Sequence, residues 1–155
     1  MIFVFDTNSF SELNAYYPDI FKALWAQLDA LVAAQELIST REVRKELENS
    51  GLEHVLKWAK NNSGIFTIPT AAETQFVGQI FSVPHFQALI GQKAQQRGTP
   101  VADPFVIACA KVNGGTVVSQ EKYKPNAAKI PNVCAHFNIP CIDLEKFMRV
   151  QKWTF

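Results

Sequence analysis

Four acidic residues are set apart by where they fall along the chain: Asp6, Glu46, Asp103 and Glu121. Asp6 directly follows the apolar run IFVF, and Asp103 precedes Pro104 at the head of the apolar segment PFVIACA. Glu121 lies two residues beyond TVVS, and Glu46 sits within REVRKEL. Each has an ordinary structural reading: Asp6 as an Asx turn, Asp103 as a helix start, Glu46 as a half-exposed helix residue, Glu121 as a solvated loop residue. Their coincidence argues otherwise. Carboxylates gathered at one edge of a sheet repel one another and raise each other's pKa values unless a cation holds them. Hard oxygen donors with no His or Cys set beside them favour Mg2+ or Mn2+ over zinc. Such a centre suits phosphodiester hydrolysis, in which the ion activates a water and offsets charge on the leaving oxygen.

The elements that must position these groups follow from periodicity. Residues 2–5 form a continuous apolar, β-prone run, the pattern of a strand buried on both faces. Ser9 with Glu12, and Ser39 with Glu42, have the spacing of capping boxes, each opening a helix. Pro18 and Asp19 begin a longer helix whose Ile20, Leu24, Leu28 and Leu31 share a stripe. ELIS (36–39), TVVS (116–119) and PCID (140–143) read as strands, and IFTIP (65–69) as a further one. Segments 71–82 and 85–97 read as helices separated by Pro84. Asp103 as N-cap and Pro104 at the first helical position open a buried helix, and further helices cover about 131–137 and LEKFMRV.

On the helix carrying REVRKEL, Glu46 falls roughly 60° from Val43 and about 100° from Leu47 at about 100° per residue. Its carboxylate therefore lies beside the packed face. Glu48 points away, and Glu42 is accounted for by the capping box. The alternation of strands and helices predicts a three-layer α/β/α sandwich with a mainly parallel central sheet. Residues 1–155 read as a single domain, with 50–98 as a helical clip or insertion. In such a fold ligands bind at the carboxyl ends of the strands, where Asp6, Asp103 and Glu121 belong.

Composition agrees with a folded core: 48% of residues are hydrophobic and 19% charged, with 12 Phe and 3 Trp. A net charge of +1 announces no nucleic-acid surface at the level of the whole chain, so any such surface is local. Lys122, Lys124 and Lys129 flank Glu121, and Arg41, Arg44 and Lys45 flank Glu46. Both groups read either as solvated surface or as a phosphate-contacting rim. The first residues meet an acid at position 6 with no basic stretch before it, which is unlike a signal peptide, and no apolar run is long enough to span a bilayer. Cys109, Cys134 and Cys141 show no CxxC spacing and read as buried reduced thiols, so a cytoplasmic location is expected. His54, His85 and His136 are too scattered for zinc, and no Walker loop, GxSxG or GxGxxG is present. A phosphatase of the haloacid type would have a second aspartate where this chain has Asn8.

These segments resemble the PIN domain, most closely its compact bacterial members related to VapC-type toxin ribonucleases. FVFDTNSF is similar to the family's opening strand and first acid, here Asp6 with Asn8. REVRKEL resembles the helix delivering the family glutamate, Glu46, and ADPFVIACA the segment carrying the third acid, Asp103. TVVSQEKY resembles the strand and loop ending in a Thr/Ser-x-Asp pattern, which places Ser119 and Glu121 there, with glutamate where aspartate is more usual. The resemblance runs from residue 1 to about 145 and is least informative over 50–98. KIPNVCAHFNIPCIDLEKF and DIFKALWAQL point to a PIN-like subfamily.

The resemblance implies a Mg2+- or Mn2+-dependent endoribonuclease. Asp6, Glu46 and Asp103 would ligate the metal, Glu121 would assist a second ion or the water, and Asn8 and Ser119 would orient the site. It also implies the toxin of a toxin–antitoxin pair, inhibited by a small antitoxin protein and often a homodimer, acting on RNA. The alternative is a catalytically inactive PIN-like module that binds RNA or protein.

Overall fold

A computed structural model describes residues 1–90 and 101–155. The second half of the expected helix 85–97 lies outside the described residues.

Strand β1 (Phe3–Phe5) is central, because its three residues are buried on both faces and no polar side chain interrupts them. It pairs in parallel with β2 (Leu37–Thr40) on one side and β4 (Thr116–Val118) on the other. β3 (Phe66–Thr67) extends the sheet beyond β2, and β5 (Cys141–Ile142) beyond β4, giving the order β3-β2-β1-β4-β5. All pairings are parallel, so every carboxyl end falls on one edge. The fold is α/β with a mainly parallel sheet, as the alternation of segments predicts. The chain leaves β1 toward β2 and β3, then crosses back to β4 and β5. The switch point lies between β1 and β4, where the crevice of an open sheet forms.

The crossovers between the parallel strands place the helices on two faces. α1 (Thr7–Leu13), α2 (Lys22–Ala33), α3 (Arg41–Glu48) and α4 (Glu53–Asn61) belong to the crossovers on one side. There Phe5 meets Phe10, and Phe10 meets Trp58 and Phe66, at ring-centroid separations of 5.4 to 5.8 Å. α5 (Ala71–Ser82), α6 (Asp103–Asn113) and α7 (Ile130–His136) belong to the other. The terminal α8 (Leu144–Val150) returns to the first face, where Phe147 packs edge-on against Phe3 and Phe5. Trp25 and Phe86 are buried in the core, and Phe81 is partly buried against it. No helix among the described residues is long and apolar enough to cross a membrane.

Several local expectations are corrected. α1 is capped by Asp6, whose side chain accepts from Ser9 N, and not by a Ser9–Glu12 box. α2 starts at Lys22, and Ile20 is 67% exposed, because residues 17–21 form hydrogen-bonded turns instead. Thr40 caps α3 by accepting from Val43 N, while Ser39 stays in β2 and donates its hydroxyl to Phe5 O. Glu42 is therefore not part of a capping box. Ala102 takes the N-cap of α6, and Asp103 is its first residue. The stretch from 50 is not wholly helical: β3 pairs with β2, and residues 84–90 form a tighter 3-10 turn. The capping box that does form joins Thr70 and Glu73 at the head of α5.

The turn into β4 depends on two glycines. Gly114 ends α6 in the left-handed region at φ +63°, which a side chain disfavours. Gly115 lies against β1, where an added Cβ would meet Ile2 O at 3.0 Å. This close approach brings β4 into register with β1 and fixes where Ser119 emerges.

Candidate active site

Asp6 leaves the carboxyl end of β1 directly into α1. Its backbone N–H donates to Val118 O at 3.2 Å, so the residue is tied to β4 across the switch point. Its side chain is 2% exposed and accepts from Ser9 N at 2.9 Å. Burial pushes its pKa up to about 6, with repulsion from Glu121 adding to the rise, against hydrogen bonds from Ser119 and Ser9 that lower it. Ser9 in turn donates its hydroxyl to Val118 O at 2.8 Å.

Glu46 reaches the same edge from α3. Its Oε2 accepts from Thr7 Oγ1 at 2.5 Å, and its Oε1 accepts from Ala102 N at 3.1 Å. One carboxylate thus joins the residue after Asp6 to the residue before Asp103. Glu48, by contrast, is exposed, as the helix geometry predicts.

Asp103 opens α6 and is partly buried, and no described residue gives its carboxylate a hydrogen bond. Its pKa is pushed up to about 8, first by burial and then by repulsion from Glu121, Asp6 and Glu46. Asp103 therefore stands within electrostatic reach of the other three acids, and Asp6 within reach of Glu121. Among the described residues none of the four forms a salt bridge with a lysine or arginine.

The loop after β4 is fixed from both sides. Asn8 Oδ1 accepts from Gln120 N at 2.7 Å, and Ser119 Oγ accepts from Glu121 N at 3.2 Å while its hydroxyl serves Asp6. Glu121 Oε2 accepts from Ile130 N at 2.9 Å, so this carboxylate also satisfies a free amide in the first turn of α7. Thr7, which residue spacing does not single out, also belongs to this network. The signal available was a hydroxyl in the first turn of a helix that begins at an acid, which is not distinctive.

The donor set is hard oxygen throughout, with no histidine in it: His54 stacks on Tyr17, and His85 and His136 lie against Phe86. Among the described residues no three His, Cys, Asp or Glu side chains stand close enough to form a ready-made metal cage. A small hard cation that keeps most of its waters requires only one or two direct carboxylates, and the remaining acids then act through water. The chemistry of the site fits such an ion. Cys134 is buried, and its hydrogen bond with Cys141 together with that burial pushes its thiol pKa well up, so it offers no thiolate ligand.

The model of a domain of unknown function, DUF4411, matches residues 3–155. No curated protein matches the sequence. Among solved structures, VapBC2 from Rickettsia felis bound to a DNA fragment from their promoter aligns with a TM-score of 0.52 at 15% identity, covering 92% of this chain and 98% of that one. PAE2754 from Pyrobaculum aerophilum aligns with a TM-score of 0.53 at 15% identity, covering 99% and 98%. FitAcB from Neisseria gonorrhoeae aligns with a TM-score of 0.51 at 16% identity, covering 91% and 96%. At these identities the likeness is one of fold, and the fold is PIN-like.

Proposed function

The chain belongs to the DUF4411 family, and we propose that it is a Mg2+- or Mn2+-dependent endoribonuclease, the toxin of a toxin–antitoxin pair. The observation that carries this reading is Asp103: a partly buried carboxylate with no hydrogen-bond donor among the described residues, pushed up to about 8 by burial and by three other acids. A fold that places four like charges at its ligand-binding edge pays in stability unless a cation occupies the centre.

The bound ion would supply Lewis-acid polarisation of the phosphate and an activated water. Asp6 and Asp103 would hold it most directly, with Glu46 beside them. Glu46 also sets the spacing of the site, because it is hydrogen-bonded to the neighbours of both aspartates. Ser119 orients the Asp6 carboxylate, and Asn8 holds the 119–121 loop against α1, which keeps Glu121 at the rim. The fold likeness to VapBC2, bound to a DNA fragment from their promoter, and to FitAB, bound to the IR36 DNA fragment, supports an antitoxin partner and, on the family resemblance, a homodimer acting on RNA.

Cleavage of structured and unstructured RNA with Mg2+ or Mn2+ tests the reading, comparing the wild type with Asp6→Asn and Asp103→Asn. Both variants should fold and lose cutting; equal cleavage by all three proteins would place the activity elsewhere. A second reading, an inactive RNA- or protein-binding module, draws on the hydrogen bonds that already occupy Glu46 and Glu121. RNA binding that survives EDTA, with no cleavage under either metal, would favour it.

A further inference from the structure

Outside the four acids, one ion pair with a buried carboxylate lacks a structural explanation. Glu42 is 1% exposed, and its Oε2 has no hydrogen-bond partner among the described residues. Its other oxygen, Oε1, accepts from both Nε and Nη2 of Arg41, at 3.2 and 2.9 Å. The partner guanidinium is not buried with it: the Arg41 side chain is 45% exposed. Adjacent Arg and Glu residues on a surface rarely hold one geometry, because two long side chains lose entropy for little gain. Here the carboxylate is immobilised by the core, so the guanidinium is fixed as well.

We propose that Arg41 is a phosphate contact for the nucleic-acid strand entering the site, held in its binding orientation by Glu42 as a positioning residue; this rests on the nuclease reading above. Three observations converge. Arg41 opens α3 immediately after β2, at the same sheet edge as Asp6 and Ser119. Glu42 lies four residues, about 6 Å along the axis, from Glu46 on the same stripe of α3, and Glu46 is hydrogen-bonded within the acidic centre. The Nε–Nη2 edge of Arg41 is committed to Glu42, which leaves the Nη1–Nη2 edge, the planar fork that matches two phosphate oxygens, unused by any described residue.

The neighbouring cations are placed differently. Arg44 is engaged by Glu48 at 3.4 Å and lies over the Phe66 ring, and Lys45 is exposed with no carboxylate partner among the described residues. A pre-set fork beside an acidic centre has a clear use. It holds a neighbouring phosphate of the strand, where the carboxylates would otherwise repel it, and the ordering of the arginine is accomplished during folding.

The test is binding of fluorescein-labelled single-stranded RNA in EDTA, read by anisotropy over a salt series, alongside Mn2+-dependent cleavage of the same RNA. Arg41→Lys keeps the charge and loses the fork: affinity should fall roughly tenfold with an unchanged salt slope. In cleavage the same variant should raise KM with kcat within about twofold. Glu42→Gln removes a negative charge, so simple electrostatics predicts tighter binding, whereas loss of positioning predicts weaker binding. We expect weaker binding by several-fold, and Lys45→Ala serves as the unpositioned comparison with less than about a twofold change.

Tighter or unchanged binding by Glu42→Gln, or wild-type affinity and KM in Arg41→Lys, overturns the proposal. Should Glu42→Gln fail to fold, Arg41→Lys decides alone. Absence of cleavage by the wild type would count against the nuclease reading, while Arg41-dependent binding in EDTA would still support this contact.

Discussion

Thr7 donates its hydroxyl to Glu46 at 2.5 Å across 39 positions of sequence, and the other oxygen of Glu46 takes the backbone N–H of Ala102. Thr7 neighbours Asp6 and Ala102 neighbours Asp103, so one glutamate sets the distance between the two aspartates. Glu46 is a strut of the site as well as a candidate ligand. Each of its oxygens keeps a second lone pair for a cation or its water.

Replacing Thr7 by valine preserves shape and removes this donor. A hydrogen bond to a charged group contributes about 1.5–3 kcal/mol, and this one is only partly buried, so a loss of about 1–2 kcal/mol is expected in urea unfolding. Mn2+ should bind more weakly to the folded variant, because Glu46 no longer holds α1. Unchanged stability together with unchanged Mn2+ affinity would show that the contact positions nothing.

Acid stability should run opposite to the usual carboxylate pattern. Asp6 and Asp103 have folded pKa values raised to about 6 and about 8 from an ordinary 3.8. The unfolded chain releases these protons first, so their stabilising effect is fully present below about pH 4. It is then lost as pH rises through about 6 for Asp6 and about 8 for Asp103. Thermal melts of metal-free protein should show this falling contribution in the wild type and a flatter profile in Asp103→Asn.

At pH 8 the same Asp103→Asn variant should melt above the wild type without metal, since a repelled charge has been removed. A gain of about 1 kcal/mol corresponds to roughly 2–4 °C for a chain of this size. Adding Mn2+ should reverse the order by stabilising the wild type more. A variant that melts lower than the wild type in EDTA at pH 8 would contradict the repulsion at this site.

Glu121→Asp separates two roles of one side chain. Aspartate keeps the charge but is a methylene shorter, and so loses the Ile130 N–H in the first turn of α7. A cost of about 1 kcal/mol is expected, as for other lost caps, with the metal-induced shift in Tm retained. If the shift disappears with the cap intact, Glu121 is a direct ligand whose reach matters.

Gly115→Ala probes the turn that delivers Ser119. The new Cβ would meet Ile2 O at 3.0 Å and Ile2 Cγ2 at 3.2 Å, and the first of these is backbone in the central strand pair. Overpacking of this kind costs about 1–3 kcal/mol. A melting temperature equal to the wild type would mean that β1 and β4 separate more easily than their pairing suggests.

The parallel sheet, the placement of Asp6 at the end of a buried strand and the inward aim of Glu46 over Glu48 were all legible from residue order. They rest on short-range periodicity: IFVF is buried on both faces, and 100° per residue fixes which side of α3 meets the core. Capping was read less well. The side chains at Ser9, Ser39 and Asp103 compete with Asp6, Thr40 and Ala102 for the same positions, and the outcome depends on where each strand stops. Strand ends are set by pairing partners far away in sequence.

What the chain alone determined about the acidic cluster was therefore its candidates: which carboxylates stand at strand ends and on an inner helix face. Only the tertiary structure decided how they are held. Asp6 is tied across the switch point to β4, Glu46 is braced by Thr7 and Ala102, Glu121 serves the head of α7, and Asp103 is left without a donor among the described residues. The burial of Glu42, which the local pattern assigned to a cap, belongs to the same class of fact. Burial and hydrogen bonding of a side chain depend on elements 39 to 112 residues away, and no local spacing encodes them.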